Sequence, residues 1–138
     1  MLVRERNAAV RGGFTLMEML VVVAILVILA GAAVPIYMRY LDEAKVSRAK
    51  VDIKAIEDCC KAYYLKNQEY PPQLAMLTQQ QTDGTKPYLE PDSIYDPWKR
   101  PYGYDPTGAR NAGNKPDIWS EGPPGGQASQ IGNWPQGR

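Results

Sequence analysis

The sequence contains no histidine. That removes the side chain most often used as a general base near neutral pH, and the commonest nitrogen ligand for metals. It also lacks a glycine-rich phosphate loop followed by Lys-Ser/Thr, so any ATP hydrolysis linked to its work belongs to a partner. Net charge is only +1, which gives no electrostatic reason to expect nucleic acid or an acidic substrate. Cysteine is confined to two neighbours, Cys59 and Cys60. Adjacent residues on a helix point about 100° apart and are poorly placed to bond each other. They form no C-x-x-C pair, so they read as small core or interface residues, with a redox or intermolecular role as the alternative. The remaining Asp, Glu, Tyr and Ser show no spacing that suggests an active site, and no enzyme activity is expected. With 138 residues the chain supports one domain with a modest core.

What is present divides into four stretches by composition. Residues 1–13 are polar and basic, with Arg4, Arg6 and Arg11 against Glu5. From Phe14 to Val34 the chain is almost wholly apolar, and Glu18 is its one charge. From about Ile36 to Asn67 it is charged and periodic. After Tyr70 it is rich in Pro, Gly and aromatics, holding eleven of the twelve prolines. No internal repeat is evident.

The apolar run of 21 residues matches the ~20 that a helix needs to cross a bilayer. Its basic flank predicts an N-in, C-out orientation. In the next stretch Val46, Ala49, Ile53, Ile56, Cys60 and Tyr63 recur at intervals of 3, 4, 3, 4 and 3. That spacing makes one apolar stripe on a helix. Charges are read onto the other face, with Glu57 and Lys61 in the favourable i,i+4 order. Nothing interrupts the pattern before Tyr70-Pro71-Pro72, where proline ends it. A helix from Phe14 to Asn67 would run about 80 Å, too long for a chain this size to bury. Pro35 lies inside it, removing one donor and crowding the carbonyl of Gly31. This is read either as a simple kink or as a weak point where the helix can bend or melt.

The amphipathic half of the helix needs a cover, and the last 70 or so residues must supply it. Ser93–Tyr95, Pro101–Tyr104 and Asp117–Ser120 are predicted as strands between turn residues. Trp98, Trp119, Trp134, Ile118, Ile131 and several tyrosines are candidate core residues. The fold class is therefore α+β: a long N-terminal helix packed against a small antiparallel sheet with long loops. The expected organisation is a basic N-terminal stretch (1–13), an apolar helix that goes into lipid or against other subunits (14–35), its amphipathic continuation (36–67), and a sheet-and-loop region completing one domain (68–138).

An ordinary secretory signal would be cut after the apolar stretch, and Ala30-Gly31-Ala32 offers small residues there. Glu18 argues otherwise, because a charge inside an apolar span is costly and usually functional. The residues Gly13-Phe14-Thr15-Leu16-Met17-Glu18 ahead of the run resemble the precursor motif of the type IV pilin and pseudopilin family. Met17 and Met19 stand where that family often has aliphatic residues. The resemblance implies a pilin-like fold, cleavage after Gly13 by a prepilin peptidase, and N-methylation of the new terminus, Phe14. It also implies that Glu18 pairs with the terminal amine of a neighbouring subunit and sets the register of assembly.

Downstream, Asp96-Pro97-Trp98-Lys99-Arg100-Pro101-Tyr102, Asp117-Ile118-Trp119-Ser120-Glu121-Gly122 and Ile131-Gly132-Asn133-Trp134 resemble the major pseudopilin branch of type II secretion systems. This covers almost the whole chain after Gly13. It implies a helical filament of identical subunits in the periplasm, anchored in the bacterial inner membrane. The partners implied are minor pseudopilins, an inner-membrane platform, an assembly ATPase and an outer-membrane secretin. The alternatives are a minor pseudopilin or a surface or DNA-uptake pilin, for which Lys99, Arg100, Arg110 and Lys115 form a thin basic candidate. Adhesive pilins resemble a different pattern, with two separated cysteines closing a C-terminal loop.

The branch also implies a calcium site in the last loop, with one aspartate after Ser-x-Gly and another before Ile-x-Asn-Trp. Those places read Pro123-Pro124-Gly125 and Gln127-Ala128-Ser129-Gln130, and after Asp117 the one acidic side chain is Glu121. Calcium prefers six to eight oxygens including carboxylates. A lost or much weakened site is expected, with the two prolines stiffening the loop instead.

Overall fold

The computed structural model describes residues 12–81, 84–125 and 130–135. Its first element is a helix of 52 residues, α1 (Leu16–Asn67). Thr15 starts it: the Thr15 carbonyl accepts from Met19 N–H, and its hydroxyl accepts from Glu18 N–H at 3.1 Å. This is an N-cap, satisfying donors that have no partner in the first turn. The helix continues through Pro35. At the other end Gln68 turns left-handed at φ 60° and its N–H returns to Tyr64 O. The Asn67 side chain caps the Tyr63 carbonyl, and Pro71 and Pro72 prevent continuation.

The contacts divide the chain into two units, Met1–Arg39 and Tyr40–Arg138. In the first, every described residue is exposed, Ile28 at 71% being typical. Its share of α1 is long and apolar enough to cross a membrane by length and composition.

The second unit has a core. Ala49, Ile53, Ile56, Cys60 and Tyr63 face inward from α1, with Val46 packed at the edge. The 3-4 spacing therefore defines the buried stripe. Leu74 and Leu77 from a 3₁₀ segment (Leu74–Thr78) join them, together with Tyr102, Ile118 and Ile131. Ile56, Leu77 and Ile118 are fully buried, and each contributes about 1.5–3 kcal/mol through apolar area removed from water.

The sheet has three antiparallel strands in chain order: β1 (Gly103–Asp105), β2 (Asp117–Ser120) and β3 (Ile131–Gly132). Tyr104 pairs with Ile118, and Trp119 pairs with Gly103 on one side and Gly132 on the other. Two strand expectations are corrected here. Ser93–Tyr95 is not a strand: Pro91 opens a 3₁₀ turn (Pro91–Ile94), and only Tyr95 makes an isolated bridge, to Pro101. The strand expected at Pro101–Tyr104 lies at Gly103–Asp105, because the proline has no donor for a ladder. The tryptophans are also less central than expected. Trp98, Trp119 and Trp134 are half-buried, and the indoles of Trp119 and Trp134 occupy the space a side chain on Gly103 or Gly132 would need.

Candidate functional site

Gly12 to Thr15 are non-helical and exposed. The Gly13–Phe14 bond thus lies in exposed, non-helical chain immediately before the helix cap. Glu18 lies in the first turn of α1 and completes a Thr-x-x-Glu spacing with Thr15. Pro35 is 17 residues further along α1, about 25 Å away at the helical rise. The sequence-predicted residues are therefore not one cluster: Gly13, Phe14 and Glu18 share the helix start, and Pro35 stands apart. The basic leader residues Arg4, Arg6 and Arg11 lie outside the described residues.

Three buried carboxylates organise the second unit. Glu57 is only 3% exposed, which corrects its placement on the solvent face of α1. It accepts from Lys115 at 2.7 Å, Lys61 at 2.8 Å, Asn133 at 2.9 Å and Lys54 at 3.1 Å. Burial pushes its carboxyl up, but the bonds from Lys115, Lys61, Asn133 and Lys54 outweigh that. They hold the group well below the usual carboxylate range. A signal for this was present in the sequence: Glu57 is four residues after Ile53 and three before Cys60, on the same stripe.

Asp96 explains the Asp-Pro-Trp-x-x-Pro-Tyr stretch. One of its oxygens accepts from the backbone N–H of Trp98 and of Arg100, closing the turn, and the other accepts from Ser120 Oγ at 2.6 Å. Asp117 closes the next turn, accepting from Arg110 N–H and from Asn111 Nδ2. That turn needs glycine at 108, where φ is +65° and a Cβ would strike the Lys115 carbonyl. Asn133 explains the closing Ile-x-Asn-Trp. Its Nδ2 donates to Glu57 and to the Pro116 carbonyl, while its Oδ1 accepts from Ile118 N–H and Asn111 Nδ2. All four of its bonding positions are filled. These residues are scaffold, linking α1, the turns and the sheet.

Other candidates are absorbed in the same way. Cys60 is buried and Cys59 donates to the Tyr88 carbonyl; both are free thiols. Burial pushes the Cys60 thiol up to about 12, which keeps it out of thiolate chemistry near neutral pH. Of the basic residues weighed for nucleic acid, Lys115 binds Glu57, Arg100 pairs with Asp96, and Arg110 reaches Gln130.

In the last loop Pro124 is exposed and Gln130 half-buried, while Gln127, Ala128 and Ser129 lie outside the described residues. Among the described residues the carboxylates near this loop already have partners. Asp117 is committed to Arg110 and Asn111, Glu121 accepts from Trp119 Nε1 and Gln130 Nε2, and no further carboxylate side chain follows.

Comparison with known proteins agrees with this architecture. The family model described as type II secretion system protein G matches residues 36–134. A model of the prokaryotic N-terminal methylation motif matches residues 9–34. The type II secretion system core protein G of Pseudomonas aeruginosa is 38% identical, over 90% of this chain and 95% of its own length. That of Aeromonas hydrophila is 36% identical, over 90% and 92%. The crystal structure of the major pseudopilin from the type 2 secretion system of enterohaemorrhagic Escherichia coli superposes with a TM-score of 0.55 at 28% identity. It covers 73% of this chain and 92% of that one. With its methylation motif, its exposed apolar helix start and a family match running through the sheet to Trp134, the chain belongs to the type II secretion system protein G family.

Proposed function

We infer that the chain is a structural subunit of the type II secretion pseudopilus, the periplasmic filament that drives protein export across the outer membrane. The observation that carries this reading is the family match over residues 36–134, joined to a helix whose apolar residues are all exposed through Arg39. Such a surface is stable only in lipid or against other subunits. The methylation motif and the apolar helix fit a membrane-anchored pseudopilin.

In detail, the precursor sits in the inner membrane with its leader cytoplasmic and its C-terminal domain periplasmic. Prepilin peptidase cuts after Gly13, and the Phe14 amine is methylated. A carboxylate leaving water is stabilised best by a nearby opposite charge. The Phe14 amine of a neighbouring subunit supplies that charge to Glu18, which fixes the axial register. Thr15 holds the helix start, so that Glu18 stays in the first turn. Pro35 gives the helix a point of flexibility during packing. A separate ATPase and platform protein drive growth, minor pseudopilins share the filament, and a secretin forms the outer channel. The chain itself is no enzyme and takes up no nucleic acid. It works without calcium, or binds it weakly, and titration calorimetry with calcium alone is expected to show no tight site.

The direct test compares the extracellular proteins of cells with and without this gene. A defined set of folded enzymes is expected to leave the medium and accumulate in the periplasm. Unchanged secretion accompanied by lost surface fibres or DNA uptake would overturn the reading.

A further inference from the structure

The turn before β2 carries a cation whose place in the fold the proposed function leaves unused. Arg110 is fixed at its backbone, where its N–H donates to Asp117 Oδ2 at 2.8 Å. The neighbouring Asn111 ties the same carboxylate to Asn133. From this anchored base the guanidinium lies 4.3 Å from the ring centre of Trp134 and 5.9 Å from that of Trp119. Its Nη1 donates to Gln130 Oε1 at 2.7 Å. Gln130 Nε2 in turn donates to both Glu121 oxygens, at 3.0 and 3.2 Å, and Glu121 accepts from Trp119 Nε1 at 2.9 Å. One cation thus gathers residues from before β2, from β2, from its exit and from both sides of β3.

We propose that Arg110 is a built-in cation that fastens the C-terminal segment, Gln130 to Trp134, onto the sheet and does there the structural work of a bound metal ion. The chemistry suits the role. A guanidinium is always charged, presents several donors in a plane, and stacks on indole faces. A divalent ion would need carboxylates, and the acceptor that Arg110 uses is the neutral amide of Gln130. The two tryptophans are held for stacking because each lies over a glycine, Gly103 or Gly132. Lysine keeps the charge but has neither the plane nor the fork, so it does not replace arginine at this place.

This rests on the calcium-independent reading above, and one set of measurements separates the two. The full chain in detergent is melted with added calcium and with a chelator, as wild type, Arg110→Lys, Arg110→Ala and Trp134→Leu. Near-UV circular dichroism records the tryptophan pair. The wild-type melting temperature is expected to be the same in calcium and in chelator. Each variant is expected to melt about 4–8 °C lower, with a reduced tryptophan signal and no recovery in calcium. A wild-type protein destabilised by the chelator overturns the calcium-independent reading and with it the surrogate role. Arg110→Lys with wild-type melting and tryptophan signal overturns the role of Arg110 alone. If Arg110→Ala fails to fold, Arg110→Lys and Trp134→Leu decide by the same two readouts.

Discussion

The two halves of α1 are built from the same backbone and meet opposite fates. Up to Arg39 every described side chain is exposed, although most are Val, Ile, Leu, Ala or Met. From Val46 to Tyr63 seven of the eighteen residues are charged, yet the helix buries six of its residues there, including Glu57. Composition alone would assign the core to the wrong half. The difference is whether the chain supplies its own cover. The distal half has Leu74, Leu77, Tyr102, Ile118 and Ile131 laid on its stripe. The basal half has no such cover among the described residues, so its packing energy comes from lipid or from other subunits. This separation suits a secretion subunit: one half carries the core and the other keeps an apolar surface for lipid or other subunits.

The comparison is broken most severely by emptying the distal core. Ile118→Ala is expected to lower the stability of the folded unit by about 2–5 kcal/mol through lost transfer energy and a cavity. A denaturant titration followed by tryptophan fluorescence measures it. Insertion into the membrane should be unaffected. The converse change, Val27→Lys, places a charge in the apolar half, at about 3 kcal/mol of insertion free energy near the centre of a span. Fractionation should show a smaller membrane-bound share, while the melting of whatever protein folds is unchanged.

Glu57→Gln sharpens the comparison within the distal half. It leaves Lys54, Lys61 and Lys115 without their shared anion. Because these lysines are partly solvated, the expected loss is about 1–3 kcal/mol. Glu57 has a folded-state carboxyl held below its unfolded value. Its stabilisation is therefore fully present above the unfolded value of about 4.3 and is lost as pH falls below that towards the folded value. The variant should show a flatter acid limb in melting temperature between about pH 5 and 3. Lys54→Ala removes only the most exposed partner and is expected to change stability least of all. A larger loss would show that the cluster acts as a network rather than as one carboxylate with a dominant partner.

The helix was legible in the sequence because its signals are local: the 3-4 spacing from Val46 to Tyr63, the stop at Pro71, and the motif around Gly13. Glu57 was half legible. Its position on the stripe follows from the spacing to Ile53 and Cys60, whereas Lys115 and Asn133 approach it only through the fold. The sheet was read less well. Ile131–Gly132 is too short for an alternation to register, and Pro91 made Ser93 part of a 3₁₀ turn. The tryptophans misled for a physical reason. Indoles laid over Gly103 and Gly132 cover a sheet face without being enclosed. At the candidate site, Glu18 was legible as an ionisable group in an apolar run, but Thr15 as its helix cap was visible only in the structure.

The most direct test of the account replaces Glu18 with alanine in cells lacking the wild-type copy. Melting of the purified full chain and export of enzymes to the medium are then measured on the same variant. The account predicts a melting temperature within about 1 °C of wild type, since Glu18 belongs to the unit before Tyr40 and the core residues belong to the unit after it, together with loss of export. Export at the wild-type level, or a folded unit that melts much lower, would contradict the division of α1 into a self-sufficient half and an assembly half.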